Sequence, residues 1–251
     1  MKIGIIQGRL SPPVEGWQET PDDWRREFSL LPQLGLSHIE WIVSEKRNKS
    51  NPLFHDKLKT FPISSVCADV LVSKNILDNK FLRTNLIPIC EYAMFNRINT
   101  ITIPLLEDSS VIDKEDRTTF LNNFLPIVDG FPDLKFSLEA ELDPEDLLEI
   151  VEQRVNLYVT YDTGNITSFG SDHEEYIDIL SSRINNVHLK DRTYSGKTVQ
   201  VGRGDTDFEL IFKKLKAISY NGIYTLQTCR EEEGKEVETL ASHLEIFRRL
   251  G

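Results

Sequence analysis

No apolar run approaches the ~20 residues that a membrane-spanning helix needs, so a membrane role is unsupported. Cysteine is scarce: Cys67, Cys90 and Cys229 are odd in number and widely spaced. They read as free, buried thiols of a reducing, cytoplasmic compartment, with no reactive setting for a catalytic thiol. Positive charge is short, with 29 Lys and Arg against 40 Asp and Glu, a net charge of -11. That argues against a nucleic-acid surface, which needs a basic stripe, and leaves room only for a local phosphate pocket. No linker-like Pro, Gly or Ser tract and no compositional break divides the chain, so residues 1–251 read as one domain. Ile3–Gln7 already reads as a strand, which leaves no place for a signal peptide. The strand is not followed by a glycine-rich phosphate turn, because Gln7-Gly8-Arg9-Leu10 holds a single glycine. An open, doubly wound dinucleotide-binding sheet is thereby disfavoured.

What is present is a regular alternation of short apolar runs and amphipathic stretches, the pattern of repeated βα units. Strands are expected at Ile3–Gln7, His38–Val43, Ile63–Cys67, Thr100–Ile103, Lys135–Glu139, Leu157–Tyr161, Ile184–Leu189 and Gly222–Gln227. Thr20 and Pro21 read as the start of the first helix, with Trp24, Phe28 and Leu31 on its buried stripe. A short helix is expected near Phe54–Thr60 and a long one over Asn79–Phe95, kinked by Pro88. Another is expected at Lys114–Val128, and Pro104 is expected to stop the fourth strand. Asp143-Pro144 opens the next helix. Ser171 with Glu174, and Thr206 with Glu209, read as capping boxes. Phe208, Ile211, Leu215 and Ile218, then Val237, Leu240, Leu244 and Phe247, mark the last two buried stripes. Eight strands alternating with about eight helices in 251 residues fit a closed (β/α)8 TIM barrel.

In such a barrel the C-terminal strand ends share one face, where active sites form. Four consecutive strands offer a donor there: Glu139, Asp162, His188 and Gln227. Each has an ordinary structural reading, as a solvated turn carboxylate, a backbone cap or a core histidine. As a set on adjacent strands, two carboxylates, an imidazole and an amide oxygen suit one divalent cation: Mn, Mg, Co or Zn.

The chain resembles the xylose isomerase-like TIM barrels, which include sugar-phosphate isomerases and epimerases and the type IV apurinic endonucleases. The resemblance covers Ile3 to Phe247. It rests on Gln7-Gly8-Arg9-Leu10, Leu138-Glu139, Tyr161-Asp162-Thr163-Gly164-Asn165 and His188-Leu189-Lys190-Asp191-Arg192. Val201-Gly202-Arg203-Gly204-Asp205 and Tyr220-Asn221-Gly222 complete it. It implies that Glu139, Asp162 and His188 hold the cation and that a glutamate ends the eighth strand. This chain has Gln227 there. An amide cannot exchange a proton at neutral pH, so epimerisation by two bases on opposite faces is disfavoured. Isomerisation by one base, Glu139, along one face of an enediol survives. The three-zinc endonuclease branch is excluded, because Ala68-Asp69 stands where a histidine would be expected and the chain holds five histidines.

Lys190 alternates onto the same side as His188 and is a second catalytic candidate. Arg9, Asp69, Arg192 and Arg203 are candidates for binding substrate. Glu40, alternating with Trp41, faces the barrel interior. Trp17 and Trp41 are candidates for a wall against a sugar ring, although packing is the commoner use of such aromatics. The residues after Thr193 form a loop closing over the mouth. The expected function is metal-dependent isomerisation or epimerisation of a small sugar, sugar phosphate or sugar derivative. A dehydratase-type lyase on a cyclic polyol or keto-acid, or a non-catalytic ligand-binding barrel, are the alternatives. The expected partner is a small molecule, with neither nucleic acid nor membrane involved, and a homodimer is an open expectation.

Overall fold

A computed structural model describes residues 1–13, 20–46, 48–72 and 76–251. Trp17 lies outside the described residues. Eight parallel strands close into one barrel in chain order. They are β1 (Lys2–Ile6), β2 (Ile39–Ile42), β3 (Ile63–Cys67), β4 (Thr100–Leu105), β5 (Lys135–Ala140), β6 (Leu157–Asp162), β7 (Ile184–Leu189) and β8 (Ile223–Leu226). Closure runs from Lys2 opposite Ile223 to Ile5 opposite Leu226. The helices are α1 (Trp24–Leu34), α2 (Asn79–Phe95), α3 (Lys114–Gly130), α4 (Pro144–Val151), α5 (Thr163–Phe169), α6 (His173–Leu180), α7 (Phe208–Ala217) and α8 (Glu236–Leu250).

Strand residues alternate between two environments. Outward ones such as Trp41, Ile101, Phe136, Leu138, Val159 and Leu226 pack under the helices in one continuous core. The stripe of α2, Leu82, Leu86, Ile89 and Ala93, is fully buried there. Each of its larger side chains contributes roughly 1.5–3 kcal/mol by leaving water. Trp41 stacks edge-on to Trp24 of α1 at 5.3 Å and its Nε1 donates to Asn51 at 2.8 Å. It is therefore a packing residue and not a wall of the mouth. Inward residues are mostly polar. Thr102 donates to Glu40 at 2.5 Å, Thr225 donates to Asn186 at 3.0 Å, and the Ser137 and Thr160 hydroxyls meet at 2.6 Å. Ile6, Ile42 and Cys67 form a small separate apolar cluster. Barrel interiors are usually filled by branched apolar side chains, so this hydrogen-bonded filling marks the region beneath the mouth as specialised.

Several local expectations are corrected. α1 begins at Trp24, because Thr20 is taken up by Gln7 and Asn51 at 3.3 and 3.2 Å and cannot cap. Instead of a helix at Phe54–Thr60, one-turn 3-10 segments occupy Asn48–Ser50 and Pro52–Phe54, the second capped by Asn51. Pro104 does not stop β4; it pairs with Glu139 inside the strand. Its ring nitrogen points to the β3 side, where pairing has already ended at Cys67 opposite Thr102, so no ladder bond is lost. The caps of α6 and α7 are Asp172 and Asp207, one residue after the expected Ser171 and Thr206. A carboxylate at a helix N-terminus gains charge stabilisation that a hydroxyl lacks. Ile218 lies just past the end of α7. No described helix is long and apolar enough to cross a membrane.

Candidate metal centre

Glu139 near the end of β5, Asp162 ending β6 and His188 in β7 meet at the mouth. One ligand atom from each lies within 4.8 Å of the others, and all three residues are buried. His188 Nδ1 stands 3.4 Å from Glu139 Oε2 and 3.8 Å from Asp162 Oδ2. Two donors held tetrahedrally by one ion at roughly 2.0–2.1 Å are about 3.4 Å apart. Asn165, at the start of α5, fixes both carboxylates. Its Nδ2 donates to Glu139 Oε1 and its backbone N–H to Asp162 Oδ1, each at 2.8 Å. The second bond is also the N-cap of α5, which explains the Asp-Thr-Gly-Asn run.

At these strand ends two buried polar atoms, His188 Nδ1 and Gln227 Oε1, have no hydrogen-bond partner. Gln227 lies one residue past β8, its N–H bonded to the Leu189 carbonyl at 3.0 Å. Thr225 is paired with His188, and Gln227 is two residues further along on the same inward side. Buried polar atoms without a partner cost about 1–3 kcal/mol each. A cation satisfies both kinds of atom, so the donor set fits a divalent ion.

Burial works to raise the Asp162 carboxyl, but the Lys190 ammonium and then His188 outweigh it and hold it below the ordinary range. Burial works to lower His188, but Glu40 and then Glu139 overcome it and hold the imidazole well above its usual value.

Lys190 Nζ donates to Asp162 Oδ2 at 3.1 Å and to Asn165 Oδ1 at 3.3 Å. Its stem crosses Gly164, where a Cβ would come within 2.9 Å of Lys190 Cγ. Glycine at this motif position is what lets the lysine reach the centre. Arg192 is committed to Ser168 and Thr198 at 3.3 Å and stands 3.8 Å from Glu141. Arg203 is exposed in a bend of the loop after β7. Arg9 is buried in a pocket between the loops after β1 and β8, lined also by Cys229, Arg230 and Glu231. Burial and then the Arg230 guanidinium lower its pKa to about 10. Asp69 is half-buried on the β3 side and, after burial and Glu40, helps push the Cys67 thiol up. Glu40 enters the centre from beneath, with Oε2 2.7 Å from His188 Nε2. Alternation placed it inside the barrel, but its pairing with a histidine 148 residues away had no local signal.

The loop after β7 is folded onto Asp191. That carboxylate accepts the N–H groups of Gly202, Gly204 and Thr206 at 2.7, 3.0 and 3.4 Å. A Cβ on Gly204 would fall 2.1 Å from Asp191 Oδ1, which explains the glycine. Asp191→Ala removes the shared acceptor and is expected to cost about 2–4 kcal/mol in denaturant unfolding. A loss below about 0.5 kcal/mol, the usual scatter of surface changes, would show that the loop is anchored elsewhere.

Comparison with known proteins bears on the fold and the family. A curated relative, an uncharacterized protein of Methanocaldococcus jannaschii, is 32% identical over 111 residues, covering 42% of this chain and 38% of that protein. The match thus spans well under half of that relative's length. Among solved structures, D-psicose 3-epimerase in the presence of D-fructose superposes with a TM-score of 0.76 at 15% identity, over 100% of this chain and 99% of that one. The IolI protein with a bound zinc atom gives 0.74 at 18% identity, over 98% and 97%. The probable 3-DHS dehydratase AsbF of Bacillus anthracis gives 0.69 at 14%, over 99% of both. These superpositions show a shared fold and nothing finer. The profile of the xylose isomerase-like TIM barrel family matches residues 98–250, from just before β4 to the end of α8 and so including Glu139, Asp162 and His188. The chain belongs to the xylose isomerase-like TIM barrel family.

Proposed function

We propose that this protein is a metal-dependent isomerase of a small sugar or sugar derivative, moving a proton along one face of an enediol. The observation that carries the reading is the buried triad with two polar atoms lacking a hydrogen-bond partner, His188 Nδ1 and Gln227 Oε1. Glu139, Asp162 and His188 would hold a divalent cation, with the Gln227 oxygen completing the set. When bound, such an ion polarises a substrate carbonyl and its neighbouring hydroxyl. Glu139 is the base that takes the proton from the hydroxyl-bearing carbon beside the carbonyl and returns it to the former carbonyl carbon, while the hydroxyl proton passes to the former carbonyl oxygen. Asn165 holds that carboxylate in place at 2.8 Å. The Lys190 ammonium, ordered against Asp162 and Asn165, presents a hydrogen-bond donor to a substrate oxygen. Gln227 keeps its oxygen as a ligand and can take no proton, which limits the chemistry to one base.

Elimination of water is the second reading. Lys190 favours it, because an ammonium at the rim can protonate a leaving hydroxyl while Glu139 removes the proton next to the carbonyl. The dehydratase fold neighbour is compatible with that alternative.

The test is proton exchange. A panel of ketoses and keto-acids, incubated with protein and Mn2+ in D2O, is followed by NMR. Deuterium should enter the carbon beside the carbonyl only when protein and cation are both present. Exchange with conserved composition identifies isomerisation, and loss of water identifies the lyase. Absence of exchange across the panel, with cation bound, would leave a ligand-binding barrel. The cation's affinity should weaken as pH falls below the raised His188 pKa, since the proton then competes for Nδ1.

A further inference from the structure

Glu40 is a charged residue in the middle of a strand whose other members, Ile39, Trp41 and Ile42, are apolar and buried. Its side chain is fully buried and reaches across the barrel from β2 to β7. Oε1 accepts from the Thr102 hydroxyl at 2.5 Å. Oε2 accepts from Asn186 Nδ2 at 3.1 Å and stands 2.7 Å from His188 Nε2. Reversing the Asn186 amide would set its Oδ1 against the Glu40 carboxylate, so Nδ2 faces Oε2 and Oδ1 accepts from Thr225 at 3.0 Å. An ionised carboxylate is an acceptor only, so the proton of this contact sits on Nε2. The lone pair of a neutral His188 is then confined to Nδ1, the nitrogen that faces Glu139 and Asp162 and has no hydrogen-bond partner.

We propose that Glu40 is the positioning residue of the metal centre: it fixes His188 in the tautomer and ring orientation that turn Nδ1 toward the cation. The inference rests on the metal reading above. It gives a reason for the charge of Glu40, which packing does not supply. Buried carboxylates that hold the far nitrogen of a metal-bound histidine set both its orientation and its basicity, and their loss typically weakens binding about 10–100-fold. The polar residues around Glu40 fit that task. Thr102 occupies one oxygen and Asn186 shares the other, so the carboxylate cannot rotate away from the imidazole.

The test uses zinc and the intact protein. Zinc affinity is measured by competition with a chromophoric chelator, and the histidine tautomers of the zinc-loaded protein by two-bond 1H–15N correlation. In the wild type, His188 should carry its proton on Nε2, with the zinc-induced shift on Nδ1. Glu40→Gln preserves shape and removes the charge. It should lower zinc affinity about 10–100-fold and shift the Nε2 resonance. Thr102→Val, which removes one bond from Oε1, should give a smaller loss. If the wild type binds no zinc, the metal reading itself fails. If the wild type binds and Glu40→Gln binds within twofold with an unchanged tautomer, Glu40 has only a packing role and this inference is overturned. Should Glu40→Gln fail to fold, the wild-type tautomer decides: zinc on Nε2, or Nε2 without a proton, contradicts the proposal.

Discussion

Glu139→Gln is expected to reduce deuterium incorporation into substrate by a factor of about 10^3 or more at saturating cation, with the barrel still folded. General bases of this kind contribute about 10^2–10^4 in rate. The geometry makes the glutamine worse than a neutral copy. Asn165 Nδ2 donates to Glu139 Oε1 at 2.8 Å, so a glutamine must turn its oxygen toward Asn165. Its NH2 group then replaces Oε2, the atom 3.4 Å from His188 Nδ1. An NH2 group neither accepts a proton nor ligates a cation. Cation affinity should therefore fall together with the rate, which is why the rate must be read at saturation. Unchanged turnover would rule out Glu139 as the base.

The second large effect runs the other way. Gln227→Glu should tighten the centre at least about tenfold, and every 1.4 kcal/mol, roughly, is a factor of ten. A full charge a few ångströms from a dication is worth several kcal/mol even at an effective dielectric constant of about 20. The same change should destabilise the metal-free protein, because it adds a carboxylate to the buried Glu40, Glu139 and Asp162. With glutamine, those three negative charges are matched by the dication and Lys190. The variant also supplies a second group able to hold a proton, so epimerisation on the panel should appear or increase. Calorimetric titration and melting with and without Mn2+ read the first two effects. A weaker site would mean that Gln227 does not face the cation.

The strand-end donors were legible because the strand period and the barrel's shared C-terminal face together place a residue without coordinates. Glu139, Asp162 and His188 are such residues, and the structure brings one ligand atom of each within 4.8 Å of the others. Gln227 follows the same rule from one residue past β8. Long-range partnerships were not legible. That Glu40 pairs with His188, and that Asn165 holds two carboxylates, depends on which strands lie across the barrel from each other. The errors are also physical. Ser171 and Thr206 stood next to aspartates that cap better. Thr20 was diverted by a tertiary contact with Asn51. Pro104 fits inside a strand only because pairing at its level is one-sided, which its sequence neighbours do not reveal. The surroundings of the loop cations were equally hidden: Arg192 is engaged by neighbouring hydroxyls and Arg203 is exposed.

The central claim is that four strand ends form one cation site. Calorimetric titration of the chelator-treated protein with Mn2+ and with Zn2+ tests it most directly, alongside His188→Ala and Asp162→Ala. One saturable site per chain, lost in both variants while the fold persists, is the expected result. No saturable binding by the wild type, or binding indifferent to the loss of His188, would contradict it.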